Sequence, residues 1–360
     1  MARHIEDVRA LLDQEELDAV LICSKAMKRW MGTLTGGGCF VLIAADDMRL
    51  LLDGRYITEA REQEHDLVID LLPSQSSCNL WIRLKELAFQ QGWKRIGLEG
   101  EATSAETYQT AQQFVEKPVL LTDQMARLRM IKTPDEVIHL QASVELADDV
   151  FAAVVPKLRV GMTEHEVSAL LQFESVRRGA EKMAFDTIVA AGERTALPHG
   201  RPTSREIRYG DNLMMDFGVQ YEGYQSDITR NVFFGEPREE LSHIYDVVLQ
   251  AQLAGIAAIA LNVDSEDVDR AARFIIEKAG YGQYFNHGLG HGIGVDNGTE
   301  LPLLRPGKHF RLAEGMCMSC EPGIYIPGLG GIRIEDDVLL KGGYGHPLNQ
   351  APKTKIILEG

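Results

Sequence analysis

Apolar positions along this chain follow two periods, and the change between them divides it. Residues 3–18 set Ile5, Val8, Leu11 and Leu12 on one helical face, and Ala19–Cys23 predicts a short buried strand. Gly36-Gly37-Gly38 then opens onto the apolar run Cys39–Ala44, and Leu50–Leu52 predicts another strand ending at Asp53-Gly54-Arg55-Tyr56. Helices are predicted around 56–64 and 79–91, with strands near 67–72 and 95–99, so this part alternates as an α/β domain. The three glycines lead into a strand and lack the Gly-Lys-Ser/Thr of a phosphate loop, which makes them a tight turn.

Longer helices follow a boundary that places one domain at 1–128 and a second at 129–360. Thr133 is a cap, Pro134 suits the first helical turn and Glu136 completes a capping box, after which Val137, Leu140, Val144, Ala147, Phe151 and Val154 face inward. Thr163 and Glu166 repeat the box, and the second helix is expected to stop at Gly179. A strand at Phe185–Ala191 and a hairpin over Asp211–Phe234 come next. The order then recurs: helices at Leu241–Leu261 and Glu266–Ala279, a stop at Gly280, and a hairpin over Met316–Leu340 turning around Pro327–Gly331. From terminal glycine to first hairpin carboxylate is 37 residues in one half and 41 in the other, which suggests pseudo-twofold halves facing one site.

The first hairpin carries the chemistry. With Glu222-Gly223 as its loop, Tyr221 pairs with Tyr224, Asp216 pairs with Thr229, and Asp227 lies one diagonal step away on the same face. Like charges so close on a half-buried sheet call for a shared proton, a basic partner or a metal ion, although two solvated strand aspartates would read alike. In the second hairpin Glu321 precedes Pro322-Gly323, and Arg333, Glu335 and Asp337 alternate with Ile332 and Ile334. Between the hairpins His287-Gly288-Leu289-Gly290-His291-Gly292-Ile293-Gly294 is too glycine-rich for a helix and lacks the glutamate of a zinc-protease helix. Its glycines allow close backbone approach to a ligand, with at least one imidazole in the cavity. Four carboxylates and an imidazole suit Mn(II), and also Co(II), Fe(II) or Zn(II). They exceed what one ion takes, so two ions roughly 3.5 to 4 Å apart are expected, a site able to hydrolyse amides, esters or phosphoesters.

Composition narrows the partners. A chain of 360 residues exceeds the roughly 250 to 300 at which single cores stop growing, which agrees with two domains. The net charge of −16 and the lack of a basic block argue against nucleic acid. No apolar run reaches the roughly 18 residues of a membrane span, and the N-terminus reads as an acidic amphipathic helix with no export signal. Five scattered cysteines suit a reducing cytoplasm, and the Cys317-Met318-Ser319-Cys320 stretch reads as a buried strand.

The motifs resemble the proline-specific peptidases of the pita-bread fold, the Xaa-Pro aminopeptidases and prolidases. Ala196-Leu197-Pro198-His199-Gly200, Asp216-Phe217-Gly218, Gly223 to Arg230, His287 to Gly294, Glu321-Pro322-Gly323-Ile324-Tyr325 and Arg333-Ile334-Glu335-Asp336 occur in that family's order. The first domain resembles the family's creatinase-like N-terminal domain, with Asp53-Gly54-Arg55-Tyr56 near its Asp-Ser-Arg-Tyr. The resemblance implies that Asp216, Asp227, His291, Glu321 and Glu335 hold two metal ions, usually manganese. It implies that Glu321 deprotonates the attacking water, that His199 and His287 bind the scissile carbonyl or its oxyanion, and that Thr229 and Arg333 orient the ligands. It also implies a homodimer acting on short peptides with proline second, in the cytoplasm that the cysteines suggest. One departure stands out: a histidine that contacts substrate in relatives falls at position 298, which here is Gly298, and Asn231 stands where relatives often carry Thr. That departure favours one alternative, a metal-dependent amidohydrolase on a non-peptide substrate; a second alternative, from another class, is a catalytically silent binding protein on the same fold.

Overall fold

The computed structural model describes residues 4–63, 66–73, 77–296 and 298–359, with side chains 77 and 78 excepted. The chain falls into two compact units, Met1–Arg129 and Met130–Gly360. Among the described residues no helix is long and apolar enough to cross a membrane.

In the first unit six strands form one mixed sheet in the order Val68–Leu71, Met48–Leu52, Cys39–Ala44, Ala19–Ile22, Arg95–Glu99, Lys117–Leu121. Ala19–Ile22 is buried throughout because it lies inside the sheet, antiparallel to Cys39–Ala44 and parallel to Arg95–Glu99. Leu21, Leu42, Leu51, Leu84 and Ile96 fill the core, each such side chain contributing about 1.5 to 3 kcal/mol on burial. The first helix is shorter than its periodicity suggests, Ile5–Gln14, because Glu16 turns to φ 52° and Leu17 N closes onto Leu12 O. The helix expected at 56–64 spans Ile57–Glu62, and Glu64 lies outside the described residues. Helices Lys25–Trp30, Ala105–Phe114 and Asp123–Leu128 and the strand Lys117–Leu121 are additional to the expected elements. Pro118, which withholds an N–H from any ladder, sits where the sheet tolerates it, on an edge strand.

The second unit repeats one plan. Thr133 and Thr163 each make a complete capping box, starting helices Pro134–Val154 and Glu164–Arg177. Gly179 follows the second of these at φ 103°, and Gly280 plays the same part after Ser265–Lys278 at φ 88°. Val150, Phe151, Val167 and Leu171 cover Leu213, Met215, Phe217 and Val232 in one core. Ile244, Val248, Val268 and Ala272 cover Met318, Ile324, Ile332 and Val338 in the other. Several elements differ from the expected ones. The strand expected at Phe185–Ala191 begins only at Ile188, since Phe185, Asp186 and Thr187 face cavities instead of pairing. The third long helix ends at Ala258, short of Leu261, because Ala260 bridges to Tyr344. The last acidic strand is two strands, Gly330–Arg333 and Asp336–Lys341, broken where Glu335 N donates to Thr229 O of the other hairpin.

Candidate metal centre

The strands Asn212–Phe217 and Ile228–Phe234 pair with Asp216 opposite Thr229, and Tyr221 pairs with Tyr224 across Glu222-Gly223. Asp216 and Asp227 are therefore neighbours, and both are buried. Gly218 and Gly290 allow the chains to close around them: a Cβ at Gly218 would lie 1.7 Å from Ser226 O, and one at Gly290 would lie 2.1 Å from Ser319 O. Asp227 is fixed through its backbone, whose N–H donates to Asp337 Oδ2 at 2.9 Å. Glu321 leaves the strand Cys317–Cys320, where Ser319 Oγ donates to Glu321 Oε1 at 3.2 Å and accepts from His291 N at 3.0 Å. Glu335 meets the first hairpin through Thr229, whose hydroxyl donates to Glu335 Oε2 at 2.6 Å.

All nine residues singled out from the sequence lie together. His199, Asp216, Asp227, His287, His291, Glu321, Arg333 and Glu335 line one cavity of about 540 Å³, and Thr229 lies behind Glu335. The donor chemistry fits divalent cations. Asp227, His291 and Glu335 each present a ligand atom within 4.8 Å of the others. The His291 Nδ1–H donates to Gly292 O at 2.9 Å, which leaves Nε2 facing Asp227 Oδ2 at 3.6 Å and Glu321 Oε1 at 3.7 Å. A ring nitrogen and two carboxylate oxygens converging in this way are a donor set that a divalent cation would accept. Asp216 Oδ2 is held by Arg333, while its buried Oδ1 has no hydrogen-bond partner among the described residues. Burial, and after it Asp227, Glu321 and Asp216, pushes the Glu335 carboxyl well above the usual range; burial also raises Glu321, against the opposing pull of His291 and Arg333. Cations in this position would remove those protons and use the oxygens freed.

Arg333 and Tyr325 brace the centre. Arg333 Nε donates to Thr229 Oγ1 at 3.0 Å, and its Nη1 donates to Tyr325 OH at 2.8 Å and to Pro198 O at 3.1 Å. Tyr325 in turn donates to His287 Nε2 at 2.9 Å, because the His287 Nδ1–H is given to Gly288 O at 2.7 Å. Burial, with Arg333 next, lowers His287 to about 4, so the ring is neutral at physiological pH. His199 stands exposed on the rim. In the sequence Tyr325 stands only within a motif; its signal is the nearby glycine, since a Cβ at Gly323 would lie 2.3 Å from its hydroxyl. Arg305, Arg201 and Asp186, which also line the cavity, carried no sequence signal. Gly298 is exposed, and a Cβ there meets nothing within 4 Å, while Asn297 lies outside the described residues. Glu300 braces this loop by accepting from Val295 N at 3.2 Å. Cys317 and Cys320 are free thiols inside a strand, on opposite faces by their odd spacing, and burial raises both.

Comparison with known proteins places these features in order. Residues 139–342 match the model of metallopeptidase family M24, and residues 4–131 match the creatinase/prolidase N-terminal domain. An Xaa-Pro dipeptidase of Pyrococcus furiosus is 34% identical over 94% of this chain and 95% of its own. The structure of an Xaa-Pro dipeptidase from Bacillus anthracis superposes with a TM-score of 0.93 at 34% identity, covering 98% of this chain and 99% of that one. An X-Pro aminopeptidase from Thermotoga maritima gives 0.87 at 33% identity, covering 99% and 100%.

Proposed function

The chain belongs to metallopeptidase family M24, and from that membership we propose that it hydrolyses Xaa-Pro dipeptides with two divalent cations held by Asp216, Asp227, His291, Glu321 and Glu335. It is a peptidase with a creatinase-type first unit and a pita-bread second unit. The observation that carries the proposal is the imidazole of His291 turned toward two carboxylates in a cavity that holds all five donors. Manganese is the proposed ion because four of the five donors are hard oxygens. A cytoplasmic homodimer and functional domains at 1–128 and 129–360 complete the reading.

When bound, the cations would polarise the scissile carbonyl and supply a nucleophile from water at neutral pH. Glu321, its carboxyl raised by burial and steadied by Ser319, takes the proton of the attacking water and returns it to the leaving amine. His199 at the rim donates to the oxygen on which charge develops. His287 is neutral and joins that task by exchanging its Tyr325 partner for the substrate. Arg333 and Thr229 hold Asp216 and Glu335 in place. Arg305 lines the cavity with its guanidinium free of any hydrogen bond or ion pair among the described residues, and it suits the carboxylate of a dipeptide. Dipeptidase activity is therefore preferred over removal of single residues from longer peptides.

Protein stripped of metal and reloaded with Mn(II) should cleave Ala-Pro faster than Met-Pro-Ala or Gly-Pro-Ala, and leave Met-Ala-Ala intact. Equal cleavage of Met-Ala-Ala would remove the proline preference. Metal binding without cleavage of Ala-Pro would favour the second reading, an amidohydrolase on a non-peptide substrate, which the glycine at 298 supports.

A further inference from the structure

A second cavity of about 350 Å³ adjoins the first. Ser168 and Gln172 of the helix Glu164–Arg177 line it together with Thr187, and it shares Phe185, Asp186 and Arg201 with the larger cavity. Its place in the fold is set by register. Ile188 pairs with Asp216, so Thr187, the residue before it, lies one step from the strand neighbour of a metal-facing carboxylate. Thr187 is 7% exposed, and its Oγ1 has no hydrogen-bond partner among the described residues. A buried hydroxyl left in that state costs free energy that a ligand group would recover.

The lining also states what the ligand should look like. Gln172 Nε2 donates to Ser168 Oγ at 3.1 Å, which leaves the Gln172 carbonyl and the Ser168 hydroxyl proton available. Arg201 and Asp186, both exposed, approach to 3.7 Å, so the open side of the cavity has opposite charges side by side and favours neither sign. Met183 and Phe185 add apolar surface. An aliphatic stem ending in an uncharged polar group matches that set. Arg305 lines the larger cavity and not the side one, beside Gly288, where a Cβ on that glycine would lie 2.6 Å from the Arg305 Cβ. A dipeptide with its carboxylate at Arg305 would turn its first residue toward the side cavity.

We propose that this side cavity receives the side chain of the first residue of an Xaa-Pro dipeptide and selects a long, unbranched, uncharged polar one, glutamine in particular. The inference rests on the Xaa-Pro reading above. The test is kcat/KM for Gln-Pro, Leu-Pro and Ala-Pro with the Mn(II)-loaded enzyme. Gln-Pro should exceed the other two by about fivefold, chiefly through KM, the scale of one net hydrogen bond gained on binding. Thr187→Val, close to isosteric, should bring the Gln-Pro to Ala-Pro ratio near one. Gln172→Leu, on the exposed rim where folding is not at stake, should lower the same ratio. Equal values for Gln-Pro and Ala-Pro in the native enzyme, or an unchanged ratio in both variants, would overturn the pocket assignment alone. No turnover of any of the three dipeptides with metal bound would overturn the Xaa-Pro reading and this inference with it.

Discussion

Arg333 is a buried cation whose hydrogen-bond donors reach Asp216, Thr229, Tyr325 and the Pro198 carbonyl, so one side chain touches both carboxylate hairpins and the rim. Its hold on Glu335 is indirect and passes through the Thr229 hydroxyl, which accepts from Arg333 and donates to Glu335. A donor that orients a ligand in this way typically changes metal affinity by about 10- to 100-fold when removed. Thr229→Val, which keeps the shape and deletes the hydroxyl, should therefore weaken Mn(II) binding to the stripped protein by about that factor. Titration calorimetry checks it, and an affinity within twofold of the native value would show that the relay is not needed. Asp336 shows the opposite case of a buried carboxyl: burial raises it, but Arg230 and Lys353 outweigh burial and hold it below the ordinary range. It is a structural anion, set apart from Glu335 next to it in the chain by its partners alone.

Hairpins, not helices, position every proposed ligand except His291, and their spacing depends on glycine. Gly218 stands between Asp216 and Asp227 where the ladder breaks, with the Ser226 carbonyl against it. The obstruction is backbone, so no rotamer change relieves an added methyl. Gly218→Ala should lower the unfolding free energy by about 1 to 3 kcal/mol, the usual scale of overpacking, and move Asp227 away from His291. Denaturant melts with and without Mn(II) separate the two effects: the variant should lose stability in both and lose part of the increment that metal supplies. A variant melting like the native protein would mean that the strand shifts freely. The helices contribute at a distance. Their caps at Thr133 and Thr163 set where each helix begins, and their apolar faces pin the hairpins from behind.

Across the whole molecule the acid excess and the metal centre are connected. Part of the net charge of −16 is concentrated in one cavity, where burial holds Glu321 and Glu335 protonated at pH values that would ionise them in water. Because the folded-state values are raised, the metal-free fold binds more protons than the unfolded chain, and this contribution to its stability grows as pH falls through the folded values. Cations must displace those protons. The rise in melting temperature that Mn(II) produces should therefore shrink steadily as pH falls. His287 adds nothing above its ordinary value of 6.5, since it is neutral in both states there. Calorimetric scans of loaded and stripped protein would test this, and an increment independent of pH would mean that the carboxylates are ionised without metal.

Several features could be read from residues alone because local chemistry decides them. Period-two alternation puts Asp216 opposite Thr229 with Asp227 beside it, a capping box needs only four residues, and a left-handed helix stop selects glycine at 179 and 280. The motif order in the second half and its candidate ligands were legible for the same reason, since each ligand sits in a short segment of fixed character. The break at Glu335 was not. It exists because Thr229, 106 residues away, offers a hydroxyl and a carbonyl, and local pattern carries no information about a partner at that separation. Tyr325 bonding His287, Arg333 reaching Pro198 and the cavity beside Thr187 are of the same kind. They depend on how two packed cores bring hairpin against hairpin, and packing of distant segments, not the alternation within each, decides which polar atoms meet.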